Sequence, residues 1–172
     1  MVNIICLIGR RSSGKTRTLK KFFGLGSDER IRNDEYIDKK NGKIVCAVGF
    51  GSPQELNEFC KFKDVIDNLN ERIKIAKEEV KKTYKKDDFV FVIPFTLMTK
   101  IDGRNNENCI LKPIEMLKNK GYDIFLIYLK RPSRNPWYDE FMESLTTYEI
   151  LSREEYGEQA KELNKLISPF CT

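Results

Sequence analysis

Residues 9–16 read GRRSSGKT, a complete GxxxxGK[ST] pattern, and the apolar run 3–8 leads directly into it. Glycine, lysine and a hydroxyl at this spacing suit one chemistry, the cradling of a polyphosphate. Gly9 and Gly14 let the backbone curl so that successive amide hydrogens face inward onto phosphate oxygens, a path that side chains would obstruct. Lys15 then supplies a point charge between the β- and γ-phosphates, which makes it the first candidate for a catalytic role, and the Thr16 hydroxyl is placed to reach Mg²⁺. Gly9, Arg11, Ser12, Ser13, Gly14, Lys15, Thr16 and Arg17 are therefore the expected lining of a nucleoside triphosphate site. Arg10 and Arg11 fall in the free positions of the pattern, where such side chains are exposed or reach a γ-phosphate, their own or an oligomer partner's.

A loop of this kind works when a strand aims it and a helix begins where the phosphates sit. The run 3–8 supplies the strand, and residues 17–23 continue as a helix with Leu19, Phe22 and Phe23 turned toward a sheet. Further strands are expected at 31–37, 43–49, 89–95, 122–129 and 147–151, giving about six in all. The runs 31–37 and 43–49 flank Asp38 to Gly42, and an Asn-Gly turn between two such runs signals an antiparallel hairpin. Phe89 to Phe95 reads as a buried central strand with Pro94 at its exit. Two helix starts carry the capping pattern S-x-x-E, at Ser52 to Glu55 and at Ser152 to Glu155, and Pro53 stands where proline is best tolerated. From Phe62, the positions Ile66, Leu69, Ile73, Ala76, Val80 and Tyr84 recur every three or four residues, which predicts one long amphipathic helix. Lys81, Lys82, Lys85 and Lys86 at its end are better read as a solvated turn complementing the helix dipole than as a nucleic-acid contact. These signals predict one α/β domain over residues 1–172, three-layered, with a mainly parallel sheet, one antiparallel hairpin and helices on both faces.

On the strength of the 9–16 loop and its flanks, the chain resembles the P-loop NTPases. Within that superfamily two resemblances compete. A hairpin directly after the first helix is similar to the G-domain architecture of small GTPases. Val48-Gly49-Phe50-Gly51 then stands where that family has DxxG; Gly51 matches, and Val48 replaces the aspartate. Leu129-Lys130-Arg131-Pro132 stands where the guanine-reading NKxD is expected, and there Lys130 alone matches. Thr99 to Asp102 spells TKxD but follows the fourth strand instead of the fifth. Ser152 matches the serine of the family's base-proximal loop. The resemblance implies nucleotide contacts from Gly51, Lys130 and Ser152, and a water-positioning role for Gln54 or Glu55, although a helix cap explains the last two as well. The second resemblance is to small P-loop kinases of the adenylate or shikimate type, whose lid arginines close over the transferring phosphate. It implies that role for Arg131 and Arg134, with solvated loop arginines as the alternative. Trp137, the single tryptophan, follows this segment and caps the core or stacks on a base.

Magnesium ordinarily draws on a further carboxylate at the end of a neighbouring strand. Here Thr96 stands in that position, while Asp87 and Asp88 lie at the strand's opposite end, leaving Thr16 with water alone, or Asp34 or Glu35, to hold the ion. Hydrolysis is consequently expected to be slow. The absence of histidine excludes His-based triads and His metal ligands. The five cysteines form no CxxC and read as reduced thiols of a cytoplasmic protein. The net charge of +5 favours acidic partners only mildly, so nucleic acid is weakly supported. No apolar run reaches the roughly 18 residues of a membrane span, and the first strand does not read as a signal peptide, so no membrane partner is expected. The resulting expectation is Mg²⁺-assisted hydrolysis of ATP, favoured over GTP because the guanine-reading aspartate is missing. Changes at 24–35 and 49–58 would report nucleotide state to a protein partner, as a switch or an ATPase subunit. A small kinase and a nucleotide-binding module without turnover are the alternatives.

Overall fold

A computed structural model describes residues 2–9, 13–26, 35–40, 43–48, 62–96, 100–101, 104–105, 108–131, 136–145, 148–151 and 155–171. In chain order the elements are β1 (Val2–Gly9), α1 (Lys15–Phe22), β2 (Glu35–Lys40), β3 (Lys43–Val48), α2 (Phe62–Tyr84) and β4 (Phe89–Thr96). A small ribbon of β5 (Lys100–Ile101) and β6 (Arg104–Asn105) follows, then α3 (Asn108–Asn119), β7 (Asp123–Lys130), α4 (Pro136–Leu145), β8 (Tyr148–Leu151) and α5 (Tyr156–Ile167). A 3₁₀ turn over Ser168–Cys171 ends the described chain.

The main sheet has the order β2-β3-β4-β1-β7-β8. Pairing is parallel from β3 through β8, and β2 runs antiparallel to β3. Strand β1 lies near the centre, and Ile4 to Ile8 are at most 2% exposed. A continuous apolar run is what a strand covered on both faces requires. Alternation divides its side chains: Ile4, Cys6 and Ile8 pack with Ile66, Leu69 and Ile73 of α2, Ile114 and Leu117 of α3 and Met142 of α4. Ile5 and Leu7 pack on the other face with Leu19 and Phe22 of α1 and with Ala160, Leu163 and Ile167 of α5. Helices thus cover both faces of an α/β sheet. Burial pushes the Cys6 thiol up to about 12, which keeps it protonated and unreactive in the core.

The path of the chain explains this division. From β1 it passes through α1 to the β3 side of the sheet, then returns through α2, α3 and α4 across β4 and β7 to β8. Right-handed crossovers that travel in opposite directions put their helices on opposite faces. As a result β1 and β4, paired side by side, send their following helices to opposite faces, and the crevice at their carboxyl ends is where α/β sheets bind ligands.

Helix α2 spans the residues its periodicity predicts, with Ile66, Leu69, Ile73, Ala76 and Val80 buried. Other boundaries differ. Strand β2 occupies Glu35–Lys40, so Asp38, Lys39 and Lys40, expected in a turn, instead pair with Val45, Ile44 and Lys43. With Lys40 opposite Lys43, just two residues remain for the connection, and the ladder continues to its edge. Residues 31–34 lie outside the described residues. Pro94 lies within β4, not at its exit. The described pairs between β3 and β4, Val45↔Val90 and Cys46↔Phe91, precede it along the strand. Helix α5 begins at Tyr156 with Glu155 as its N-cap, later than the S-x-x-E pattern at Ser152 predicts, and Glu155 makes no side-chain capping bond. The start expected at Ser52 lies outside the described residues. Among the described residues no helix is long and apolar enough to cross a membrane.

Candidate functional site

Strand β1 ends at Gly9 and α1 begins at Lys15, so the loop between them opens at the carboxyl edge of the sheet. Two of its glycines are dictated by geometry. A Cβ on Gly9 would stand 2.5 Å from Ser13 Oγ and 3.2 Å from the Leu129 carbonyl oxygen, so the loop closes on itself against β7 where a side chain has no room. Gly14, the N-cap of α1, has φ +91° and ψ 8°, a left-handed conformation that glycine alone adopts without penalty. A Cβ there would meet the Tyr156 ring at 2.7 Å.

Lys15 is drawn into the fold, 5% exposed, where its Nζ donates to the Gly9 carbonyl oxygen at 3.0 Å and to Ser13 Oγ at 3.4 Å. The ammonium is therefore held on the inner side of the loop, between the strand end and the helix start. Thr18 N–H donates to the Gly14 carbonyl at 2.8 Å, the first intrahelical bond, so the preceding amides point out of the helix end. The first turn of α1 carries no acidic side chain to compete for them, and Lys20 and Lys21 stand in its last turn. A buried lysine and the positive end of the helix dipole therefore meet at the start of α1, an arrangement whose electrostatics suit negative charge.

Helix α5 fixes this helix from behind. Thr18 Oγ1 donates to Gln159 Oε1 at 2.6 Å, and neither residue is more than 1% exposed. Arg17 Nη1 donates to the Tyr156 hydroxyl at 3.0 Å, with the guanidinium carbon 5.3 Å from the ring centre. Tyr156 and Gln159 were not among the residues expected to serve the site. The available signal was Gln159 itself, a polar residue set in the apolar stripe of Ala160, Leu163 and Ile167.

Of the sequence-derived residues, Gly9, Ser13, Gly14, Lys15, Thr16 and Arg17 are brought together, with Ser13 and Lys15 buried, Thr16 half-buried and Arg17 exposed. Lys130 is directed elsewhere. It ends β7 on the face opposite α1, where its Nζ is held by Glu143 of α4 and lies 3.6 Å from Glu149 of β8. The hydrogen bond to Glu143, reinforced by the charge of Glu149, raises its pKa above the usual 10.5. Arg131 is exposed just beyond β7, and Trp137 falls in the first turn of α4. Thr96 pairs in register with Gly9, so a threonine ends the strand beside the loop where a carboxylate was sought. Asp87 is exposed at the far end of β4, 3.7 Å from Lys81 Nζ. Among the described residues no group of three or more His, Cys, Asp or Glu is placed to hold a metal ion. Arg10, Arg11, Ser12, Asp34, Gly51, Gln54, Glu55, Arg134 and Ser152 lie outside the described residues, as do Thr99 and Asp102 of the TKxD string. No protein-family model matches the sequence, and no curated protein matches it.

Proposed function

We propose that the protein is a P-loop nucleotide-binding domain that takes a nucleoside triphosphate, ATP in preference to GTP, at the β1–α1 loop and hydrolyses its β–γ bond slowly. The observation that carries this reading is the burial of Lys15 beneath the loop, with its ammonium at the Gly9 carbonyl and Gly14 capping the helix in a left-handed turn. Lys15 would exchange its carbonyl partner for the β- and γ-phosphates, an anionic acceptor in place of a neutral one. Thr16 would give a hydroxyl to Mg²⁺, whose remaining ligands would be phosphate oxygens and water, a set this ion accepts readily. When bound, the ion neutralises charge on the transferring phosphoryl group. Changes at 24–35 and 49–58 on nucleotide binding would relay its state to a protein partner.

One observation favours the related reading of a binding module without turnover. Thr96 ends the strand beside Gly9, so the edge that would offer a second carboxylate to the ion offers none at that position. The kinase reading has less support, because residues 131–135 alone join β7 to α4, a short span for a lid. Titration with fluorescent ATP and GTP analogues, with and without Mg²⁺, alongside Lys15→Ala and a phosphate-release assay, separates these readings. Binding lost in Lys15→Ala with release of phosphate supports the NTPase, and binding without release supports the module. Failure of the intact protein to bind either nucleotide would sink both.

A further inference from the structure

Lys15 is the first residue of α1 and Arg17 the third, and at about 100° per residue they point about 200° apart around the helix. Lys15 turns inward beneath the loop, whereas Arg17 turns outward to α5 and remains exposed. Its guanidinium is nonetheless not free to wander. Tyr156 accepts a hydrogen bond from Nη1 at 3.0 Å and offers its ring at 5.3 Å from Cζ. The same ring lies against Gly14, so close that a Cβ would meet its edge at 2.7 Å. One side chain thereby contacts the capping glycine of the loop and fixes the direction of a cation on the first turn of α1. Long side chains on a helix lean back toward its N-terminus, which carries the Arg17 charge toward the end where an anion would sit.

Resting on the nucleotide reading above, we infer that Tyr156 is a positioning residue that holds Arg17 against the nucleoside end of the bound polyphosphate. Lys15 takes the terminal phosphates from the inner side, and Arg17 takes the phosphate next to the ribose from the outer side. The ligand class this favours is a nucleotide with its nucleoside-proximal phosphate in place, in contrast to free pyrophosphate, which would satisfy Lys15 alone. Tyr156 acts through Arg17, by its hydroxyl and ring, without touching the ligand.

The test compares Mg·ATP with inorganic pyrophosphate by calorimetric titration of the wild type, Arg17→Ala, Tyr156→Phe and the double variant. Tyr156→Phe keeps the ring against Gly14, so folding is not at stake, and melting temperatures check this for every variant. A lost hydrogen bond to a charged group predicts about tenfold weaker ATP binding in Arg17→Ala. Loss of the orienting hydroxyl predicts about threefold in Tyr156→Phe, with no added loss in the double variant. Pyrophosphate affinity should stay within about twofold throughout, since its contacts run through Lys15 and the loop amides. Equal weakening of pyrophosphate would show that Tyr156 merely supports the loop and would overturn the inference. Additive losses in the double variant, or unchanged ATP binding, would overturn it too. If the wild type binds neither ligand, the nucleotide reading itself fails, an outcome distinct from wild-type binding that the variants leave intact.

Discussion

Substituting Gly14 by alanine tests the described geometry of the loop without any ligand. The residue sits at φ +91°, where an L-amino acid other than glycine is strained by about 1–2 kcal/mol. Its new methyl would also stand 2.7 Å from Tyr156 Cε1 and 3.3 Å from Cδ1, inside contact distance of a ring that α5 holds in place. Overpacking of this kind costs about 1–3 kcal/mol. Together the two effects predict destabilisation of about 2–5 kcal/mol, a large part of the stability of an ordinary domain. They can be separated, because only the second depends on Tyr156. In a Tyr156→Ala background the methyl meets no ring, and Gly14→Ala should cost just the backbone part, about 1–2 kcal/mol. The double variant should accordingly be less destabilised than the sum of the singles. Urea unfolding followed by circular dichroism supplies the values, provided the slope with denaturant is shared among the variants. A cost in the wild-type background below about 1 kcal/mol would refute the left-handed cap. Strict additivity would refute the contact with Tyr156.

Thr18→Val removes the hydroxyl that donates to Gln159 Oε1 and leaves a buried acceptor with a lost bond, at a cost of about 1–3 kcal/mol. Thr18→Ser keeps the donor and forfeits one methyl, about 0.8 kcal/mol, so in urea unfolding the serine variant should be the more stable of the two. Lys130 should show itself at alkaline pH. Its folded pKa is raised above 10.5, first by the hydrogen bond to Glu143, so the stabilisation it contributes is complete below 10.5 and disappears as pH climbs through the raised value. Melting temperature measured across that window should fall more steeply for the wild type than for Lys130→Met, and identical slopes would count against the pairing.

The parts of this fold that could be read in advance are those whose signal is local. The loop and its flanks declare themselves within residues 3–23, and the stripe from Ile66 to Tyr84 fixes α2 because burial on one helical face imposes a period that no turn interrupts. The continuous apolar runs of β1 and β4 likewise mark strands covered on both faces. Boundaries set by distant contacts could not be read so. The S-x-x-E pattern at Ser152 is a sound local cap, yet α5 starts at Tyr156, and that start places Tyr156, Gln159, Ala160 and Leu163 toward the rest of the fold, with Tyr156 against Gly14 and Gln159 against Thr18. Partners from opposite ends of the chain leave no mark in either segment except the misplaced polarity of Gln159.

Lys130 shows why position along a strand does not by itself place a side chain at a site. Counting along the chain puts it at the carboxyl end of β7, beside the strand that carries the loop. A strand, however, offers successive side chains to opposite faces. Leu129 faces α1 and α5, with its carbonyl close to Gly9, whereas Tyr128 packs on the α2–α4 side, its hydroxyl donating to Asp139 of α4 at 2.9 Å. Lys130 shares the face of Tyr128 and finds two carboxylates there. A one-residue change of register would carry its charge to the loop side but would also bring every apolar side chain of β7 to the wrong face. The core therefore decides the matter: packing fixes the phase of β7, the phase assigns Lys130 to α4, and among the described residues the cation beside the loop on its outer side is Arg17, held by a tyrosine from the last helix.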